Sequence, residues 1–357
     1  MNDTSTSSTP ATIGLDLGDR HTHLCMVDEH GEIVEESRLT TTTPSFTKRF
    51  QQLEPTRIAI EACVHSPWVS RLLEDFGHEV LVANPRRMRL IYMNDTKNDR
   101  VDAEYLARIG RMDPTLLSPI QHRGADTMAD RSLIKSRDLL VRTRTRMIIH
   151  VRGMVKFTGH RVPSAWTKKF AKKVRLFIPD ELQPALMPML DQIEGINEQI
   201  RAYERQIEEL ARTKYPETAL MTQVPSVGVL TALTFVLTIE DPYRFSKSRQ
   251  VGSFLGLRPK QYDSGNRQPQ MHITKAGDGL CRKYVVQCAN HLLGPFGKDC
   301  DLRTWGLKLA ERGGKAARKR AIVAVARKLS ILLHHLWITG EVYEPFGYTP
   351  DLKLETD

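Results

Sequence analysis

A chain of 357 residues is too long for one ordinary hydrophobic core and suits two domains with connecting helices. Its 40% hydrophobic and 26% charged residues exclude wholesale disorder. A net charge of +10 asks for a polyanionic partner, while the lack of a long apolar run and of a hydrophobic leader points away from membranes and towards the cytoplasm. Cys25, Cys63, Cys281, Cys288 and Cys300 form no Cys-x-x-Cys pair, which argues against a zinc ribbon or a disulfide framework.

The Ser/Thr-rich residues 1–11 read as a disordered tail. Thr12 to Leu17, His21 to Val27 and Ile33 to Thr40 read as β-strands, with Gly18 and Gly31 marking the turns of an antiparallel meander. A helix from about Pro44, a strand from Arg57 to Cys63 and a helix from Pro67 to Phe76 follow. Next come a strand from Glu79 to Ala83, stopped by Asn84-Pro85, and helices through Met112. Three antiparallel strands followed by alternating helices and strands is the order of an RNase-H-like fold.

From Arg131 to Val155 apolar residues recur every seven positions, at Leu133, Leu140, Met147 and Met154 with Ile134, Val141, Ile148 and Val155 beside them. Leu182, Leu186, Met189, Ile193, Ile196, Ile200, Tyr203, Ile207 and Leu210 alternate four and three apart, as in a coiled-coil seam. The two helices are expected to pair, within one chain or between chains. Between Arg131 and Arg175, fourteen Lys/Arg face a single acid, Asp138, and that excess repels itself unless a polyanion lies nearby. A second basic run spans Arg303 to Lys328. Beyond Pro216 the pattern is mostly α, with a turn-rich loop at Asp263-Ser264-Gly265-Asn266.

Two acids sit in strands that are otherwise apolar: Asp16 in Ile13-Gly14-Leu15-Asp16-Leu17, and Glu61 in Ile58-Ala59-Ile60-Glu61-Ala62. Desolvating a carboxylate is costly, so such acids need a partner. Asp99 and Asp102 lie three apart, on one face near a helix start. If that helix crosses the strands, four carboxylates converge, and only divalent cations let them share a small space as anions. Taken singly, each has a bland reading: Asp99 as an acid favoured at a helix start, Asp16 as a turn residue with Gly18, Glu61 as half of a buried ion pair. His21, His23, His334 and His335 read as packing or surface histidines.

Gly14-Leu15-Asp16, Ile60-Glu61-Ala62-Cys63, Val82-Ala83-Asn84-Pro85 and Lys97-Asn98-Asp99-Arg100-Val101-Asp102-Ala103 resemble the RuvC-like DEDD domain of transposases of insertion-sequence family 110, relatives of Piv-type DNA invertases. Val224-Pro225-Ser226-Val227-Gly228, Phe254 to Pro259, Asp263-Ser264-Gly265 and Ile273 to Asp278 match the second half of that family, so the likeness runs from Thr12 to about Trp337. Two departures stand out: Ser226 where a helix-hairpin-helix turn usually has glycine, and Asn98 where threonine is commoner.

The resemblance implies an α/β RuvC-like DEDD domain over 12–125, a basic helical and coiled-coil linker over 126–215, a mainly α serine transposase domain over 216–340 and a tail over 341–357. It implies Asp16, Glu61, Asp99 and Asp102 as ligands for two Mg²⁺ ions, with Mn²⁺ as a substitute, and Ser264 as a nucleophile that links covalently to DNA. It further implies donor and target double-stranded DNA, a structured noncoding guide RNA, and a homo-oligomer, dimer or tetramer, in which one subunit's DEDD domain faces another's serine domain. Arg142, Arg144, Arg146, Arg152 and Lys156 are expected to hold nucleic acid, with Arg267 and Lys275 near the serine. Three rivals are an actin-like ATPase, suggested by Ile-Gly-Leu-Asp-Leu-Gly, a Holliday-junction endonuclease that uses the acids alone, and a nonenzymatic RNA- or DNA-binding protein with a degenerate site.

Overall fold

The computed structural model describes residues 11–88, 98–261, 271–311 and 313–346. The chain divides into two compact units, Met1–Gly124 and Ala125–Asp357.

In the first unit, β1 (Thr12–Leu17), β2 (His21–Val27), β3 (Ile33–Thr40), β4 (Arg57–Glu61) and β5 (Glu79–Ala83) form one sheet in the order β3-β2-β1-β4-β5. The first three strands pair antiparallel, and β4 and β5 join parallel to β1. Strand alternation splits the hydrophobic residues between the two faces. Ile13, Leu15, Leu24, Ile58 and Ile60 pack on one face against Phe46 and Phe50 of α1 (Thr43–Phe50) and Val69 and Leu73 of α2 (Ser66–Asp75).

The opposite face carries small residues, and α3 (Asp99–Met112) lies across it. Ala103 and Ala107 of α3 bury against Cys25 and Val27 of β2, while Leu106 packs with Ala59 and Ala83 of the parallel strands. Gly14 makes this approach feasible. A Cβ there would stand 2.5 Å from the Ala107 amide nitrogen and closer still to the Ala103 carbonyl oxygen. Arginines brace the helix against the β2–β3 hairpin: Arg100 pairs with Glu36, and Arg108 donates to the Gly31 carbonyl at 2.7 Å.

The second unit is helical. Its long members, α4 (Ala125–Phe157) and α6 (Gln183–Thr213), run antiparallel within one chain, as the contacts Lys214–Asp130, Arg137–Glu204 and Arg144–Asn197 require. The buried stripe of α6 is rotated from the expected one: Leu186, Leu190, Ile193, Asn197, Ile200, Ile207 and Ala211 face inward, whereas Met189, Ile196, Tyr203 and Leu210 stay half-exposed. Between the helices' outer ends sits α5 (Phe170–Val174), whose Phe170, Ala171 and Val174 join Val151, Val155, Leu186 and Leu190 in a core of their own.

Towards the other end, Ile134 and Ile207 pack with Leu233 of α8 (Val229–Ile239) and Tyr284 of α10 (Gly279–Leu292). The short α7 (Thr218–Thr222) precedes α8, α9 (Arg249–Phe254) follows it, and α11 (Asp301–Ala310) and α12 (Gly314–Thr339) complete the unit. One expectation needs correction. α12 is apolar and long enough to cross a membrane. Ala321, Val325, Leu329, Leu333 and Leu336 of that helix instead lie buried with Val236, Val285 and Leu292, so its apolar character serves a protein core.

Candidate active site and nucleic-acid interface

The register of the sheet fixes where the acids stand. Gly14 pairs with Ala59 and both face α3; two residues further on, at the same face and the same end of the sheet, come Asp16 and Glu61. Asp16 lies opposite His23 of β2. On α3, Gly110 lies over Thr12 and Ala59 and Ala103 over Gly14, so the helix runs antiparallel to β1 and its first turn lies towards Asp16.

Helical phase divides the two α3 acids. Asp99 is one turn before Ala103 on the β1–β2 side, and its carboxylate lies 3.9 Å from His23 Nε2. Asp102 is one turn before Leu106, on the side of the parallel strands that carry Glu61, and is only 8% exposed. Asn98 caps the helix by accepting from the Arg100 amide at 3.1 Å. The residue that stands where threonine is commoner therefore starts the helix that carries both aspartates.

The donor set consists of hard carboxylate oxygens at a helix start, which suits a small divalent cation in kind. Among the described residues, no three Asp, Glu, His or Cys side chains are drawn together tightly enough to hold one ion. The backbone thus sets the four acids at one end of the sheet, where a divalent cation would offset their mutual repulsion. His23, read from sequence as a packing or surface residue, stands between Asp16 and Asp99. The register of a hairpin turning at Gly18 was the signal that could have found it.

Ser264 and Arg267 lie outside the described residues. The frame on either side of them is a short antiparallel ribbon: Pro259 bridges Ile273, the Lys260 amide donates to the His272 carbonyl at 2.9 Å, and the Thr274 amide to the Arg258 carbonyl at 2.9 Å. Gly256 (φ +69°) and Gly277 (φ +65°) take left-handed backbone where a Cβ would overlap other backbone, that of Lys275 and Ala276 at Gly256 and that of Phe254 at the end of α9 at Gly277. Lys275 shares that left-handed region (φ +52°). Asp278 caps α10 through the Cys281 amide at 2.8 Å and pairs with Arg131 at 2.5 Å, tying the ribbon to α4. Ser226 holds φ +72° where glycine is usual, and its hydroxyl meets His291 Nδ1 at 3.0 Å.

The basic candidates of α4 divide by position. Arg146 and Lys156 are exposed, and no ion pair engages them among the described residues. Arg142 is exposed but lies 2.9 Å from Asp138, whose other oxygen takes Lys283 at 2.5 Å. Arg152 places its guanidinium 5.2 Å from the Phe170 ring centre. Arg144 turns inward to the Asn197 side-chain oxygen at 2.8 Å, and burial, with Arg137 nearby, lowers its pKa.

The chain's sequence is similar to that of known proteins. Residues 13–159 match a DEDD family model described as a transposase, and residues 218–298 match a model of the transposase IS116/IS110/IS902 family. The transposase for insertion sequence element IS1111A of Coxiella burnetii is 27% identical, over 93% of this chain and 90% of its own. The transposase for element IS1328 of Yersinia enterocolitica is 28% identical, over 78% and 82% respectively. A probable family 20 transposase of Pseudomonas aeruginosa is 28% identical over 88% and 92%. The chain belongs to the IS110 family of transposases, enzymes that cleave and recombine DNA.

Proposed function

We propose that this transposase exchanges strands between donor and target double-stranded DNA at a RuvC-like, RNase-H-type site made of Asp16, Glu61, Asp99 and Asp102. The observation that carries the reading is the contact of α3 on Gly14, which sets the first turn of that helix at the end of the sheet where β1 and β4 carry their acids. Two Mg²⁺ ions, with Mn²⁺ as a substitute, would be held by these carboxylates and would supply a charge clamp on the attacking and leaving oxygens of a phosphodiester. Asp16 and Glu61 come from rigid strands, while Asp99 and Asp102 ride a capped helix start, so the acids hold their places without loop closure.

Ser264 is the proposed nucleophile. Its hydroxyl oxygen would form a bond to phosphorus as a bridging strand oxygen leaves, which yields a serine–DNA phosphodiester and a free hydroxyl end. Arg267 and Lys275 would neutralise the phosphate under attack. A structured RNA on the basic helices, at Arg142, Arg146, Arg152 and Lys156, would guide the choice of sites, in a cytoplasmic dimer or tetramer whose subunits share active sites.

The test uses the purified full chain with its element-end DNA and co-purified RNA. Strand exchange is expected to stop with EDTA and return with Mg²⁺, to fall by orders of magnitude in Asp16→Asn and Asp102→Asn, and to lose its covalent protein–DNA adduct in Ser264→Ala. Metal-independent exchange, or an Asp102→Asn protein with full activity, refutes the reading of the acids. A Ser264→Ala protein that still cleaves without an adduct indicates an endonuclease that uses the acids alone.

A further inference from the structure

The outer end of the α4–α6 hairpin, residues 156–178, combines two features that a soluble surface normally keeps apart. Trp166 is 86% exposed, Phe157 85%, Leu176 88% and Phe177 51%. Lys156, Arg161, Lys168, Lys169 and Lys172 are exposed beside them with no ion pair among the described residues, and no Asp or Glu lies between Leu139 and Pro179. The segment is not loose. Phe170, Ala171, Val174 and Ile178 anchor it in a buried core with Val151, Val155 and Leu190, and Lys173 donates to the Ser164 carbonyl at 2.8 Å. Core residues point in, and aromatic and basic residues point out.

An apolar surface meant for another protein copy would gain nothing from a shell of uncompensated cations, which would repel the same shell on its twin. Anionic duplexes satisfy the cations but offer the rings nothing, because paired bases stay stacked inside the helix. Unpaired nucleotides satisfy both: phosphates meet the lysines, and splayed bases stack on aromatic side chains.

We propose that this end of the hairpin is a binding platform for an unpaired stretch of RNA, with Trp166 as its main stacking surface and Lys168 and Lys169 as phosphate contacts. The proposal rests on the guide-RNA reading and narrows it to a loop or single-stranded part of that RNA.

The test is fluorescence-anisotropy titration of the full chain with labelled oligouridylate, oligothymidylate and a hairpin-free RNA duplex of matched length. Trp166→Ala is expected to weaken oligouridylate binding about five- to 150-fold, the range that loss of one base–aromatic stack gives. Trp166→Phe restores most of that loss, and duplex binding changes less than twofold. Equal oligouridylate affinity in the wild type and Trp166→Ala overturns the proposal. So does a Trp166→Ala protein whose loss appears only as a smaller mass in solution, which would assign the surface to a second copy, or one whose loss is as large for oligothymidylate, which would assign it to a DNA strand. If the wild-type protein binds the duplex but not oligouridylate, the platform fails while RNA guidance stands. If it binds neither RNA, both fail together.

Discussion

Gly14 is the position at which a single atom tests the placement of the acids. In Gly14→Ala the new methyl would meet the Ala107 amide nitrogen at 2.5 Å and the Ala103 carbonyl oxygen closer still, both backbone atoms of α3 that no rotamer change can clear. Restoring ordinary contact requires α3 to lift by about 1 Å, since carbon and nitrogen resist approach below about 3.4 Å. Overpacking of this kind costs about 1–3 kcal/mol. Thermal unfolding followed by circular dichroism should therefore show a drop of roughly 3–15 °C in the unfolding of the first unit, at about 3–5 °C for each kcal/mol in a unit of this size. Strand exchange, measured well below that transition, should fall further than stability explains, because a shift near 1 Å at reacting groups costs on the order of a hundredfold in rate. Gly153→Ala, where nothing lies within 4 Å of the added Cβ, is the control and should leave both unchanged or slightly improved. A Gly14→Ala protein with wild-type melting and wild-type exchange would refute the argued contact and the dependence of the site on it.

Arg144→Ala and Arg146→Ala, two residues apart on α4, should separate structure from binding. Arg144→Ala leaves the buried Asn197 oxygen without its donor and should cost about 1–3 kcal/mol in denaturant unfolding, with the salt dependence of nucleic-acid binding unchanged. Arg146→Ala should leave stability intact and lower the slope of log affinity against log salt by about one; a reversed pattern would show that the helix is rotated. A pH dependence follows from His334, which is fully buried between Ser248 Oγ (3.0 Å) and the Pro242 carbonyl (2.9 Å) and whose pKa burial lowers. The unfolded chain then binds the proton more readily than the folded one, so this stability is present above the ordinary histidine pKa of about 6.5 and is lost as pH falls towards the lowered folded value. Melting of the second unit between pH 5 and pH 8 should show that loss in the wild type and less of it in His334→Gln; equal slopes would place the proton uptake elsewhere.

Strand periodicity and turn glycines made the sheet legible, because β1, β2 and β3 carry their pattern locally and Gly31 takes φ +86° where the turn needs it. The long helices were legible as helices but not in their phase. At α6 the apolar residues at 189, 196, 203 and 210 pointed to one stripe, yet the buried one runs through Leu190, Asn197 and Ala211. Asn197 and Glu204 face α4 because Arg144 and Arg137 bond to them, and two polar residues matched across a seam look from one strand of sequence like solvent positions. The same blindness hid Asp138 and Arg131, both buried and both paired with residues about 145 positions away.

The acids show a different limit. That Asp16 and Glu61 sit in buried strands, and that Asp99 and Asp102 open a helix, follows from local pattern. That the helix lies on the face carrying Gly14 and Ala59 does not, because it depends on a cleft of small residues whose members stand on four strands and one helix. Once that contact is known, helical phase does the rest: a four-residue step back from Ala103 brings Asp99 to His23, and the same step from Leu106 brings Asp102 to the side of Glu61. The small residues at 14, 59, 103 and 107 therefore set how close the carboxylates can come. Enlarging any of them should impair the chemistry before it unfolds the sheet, since the large apolar residues on the opposite face hold the strands together without α3.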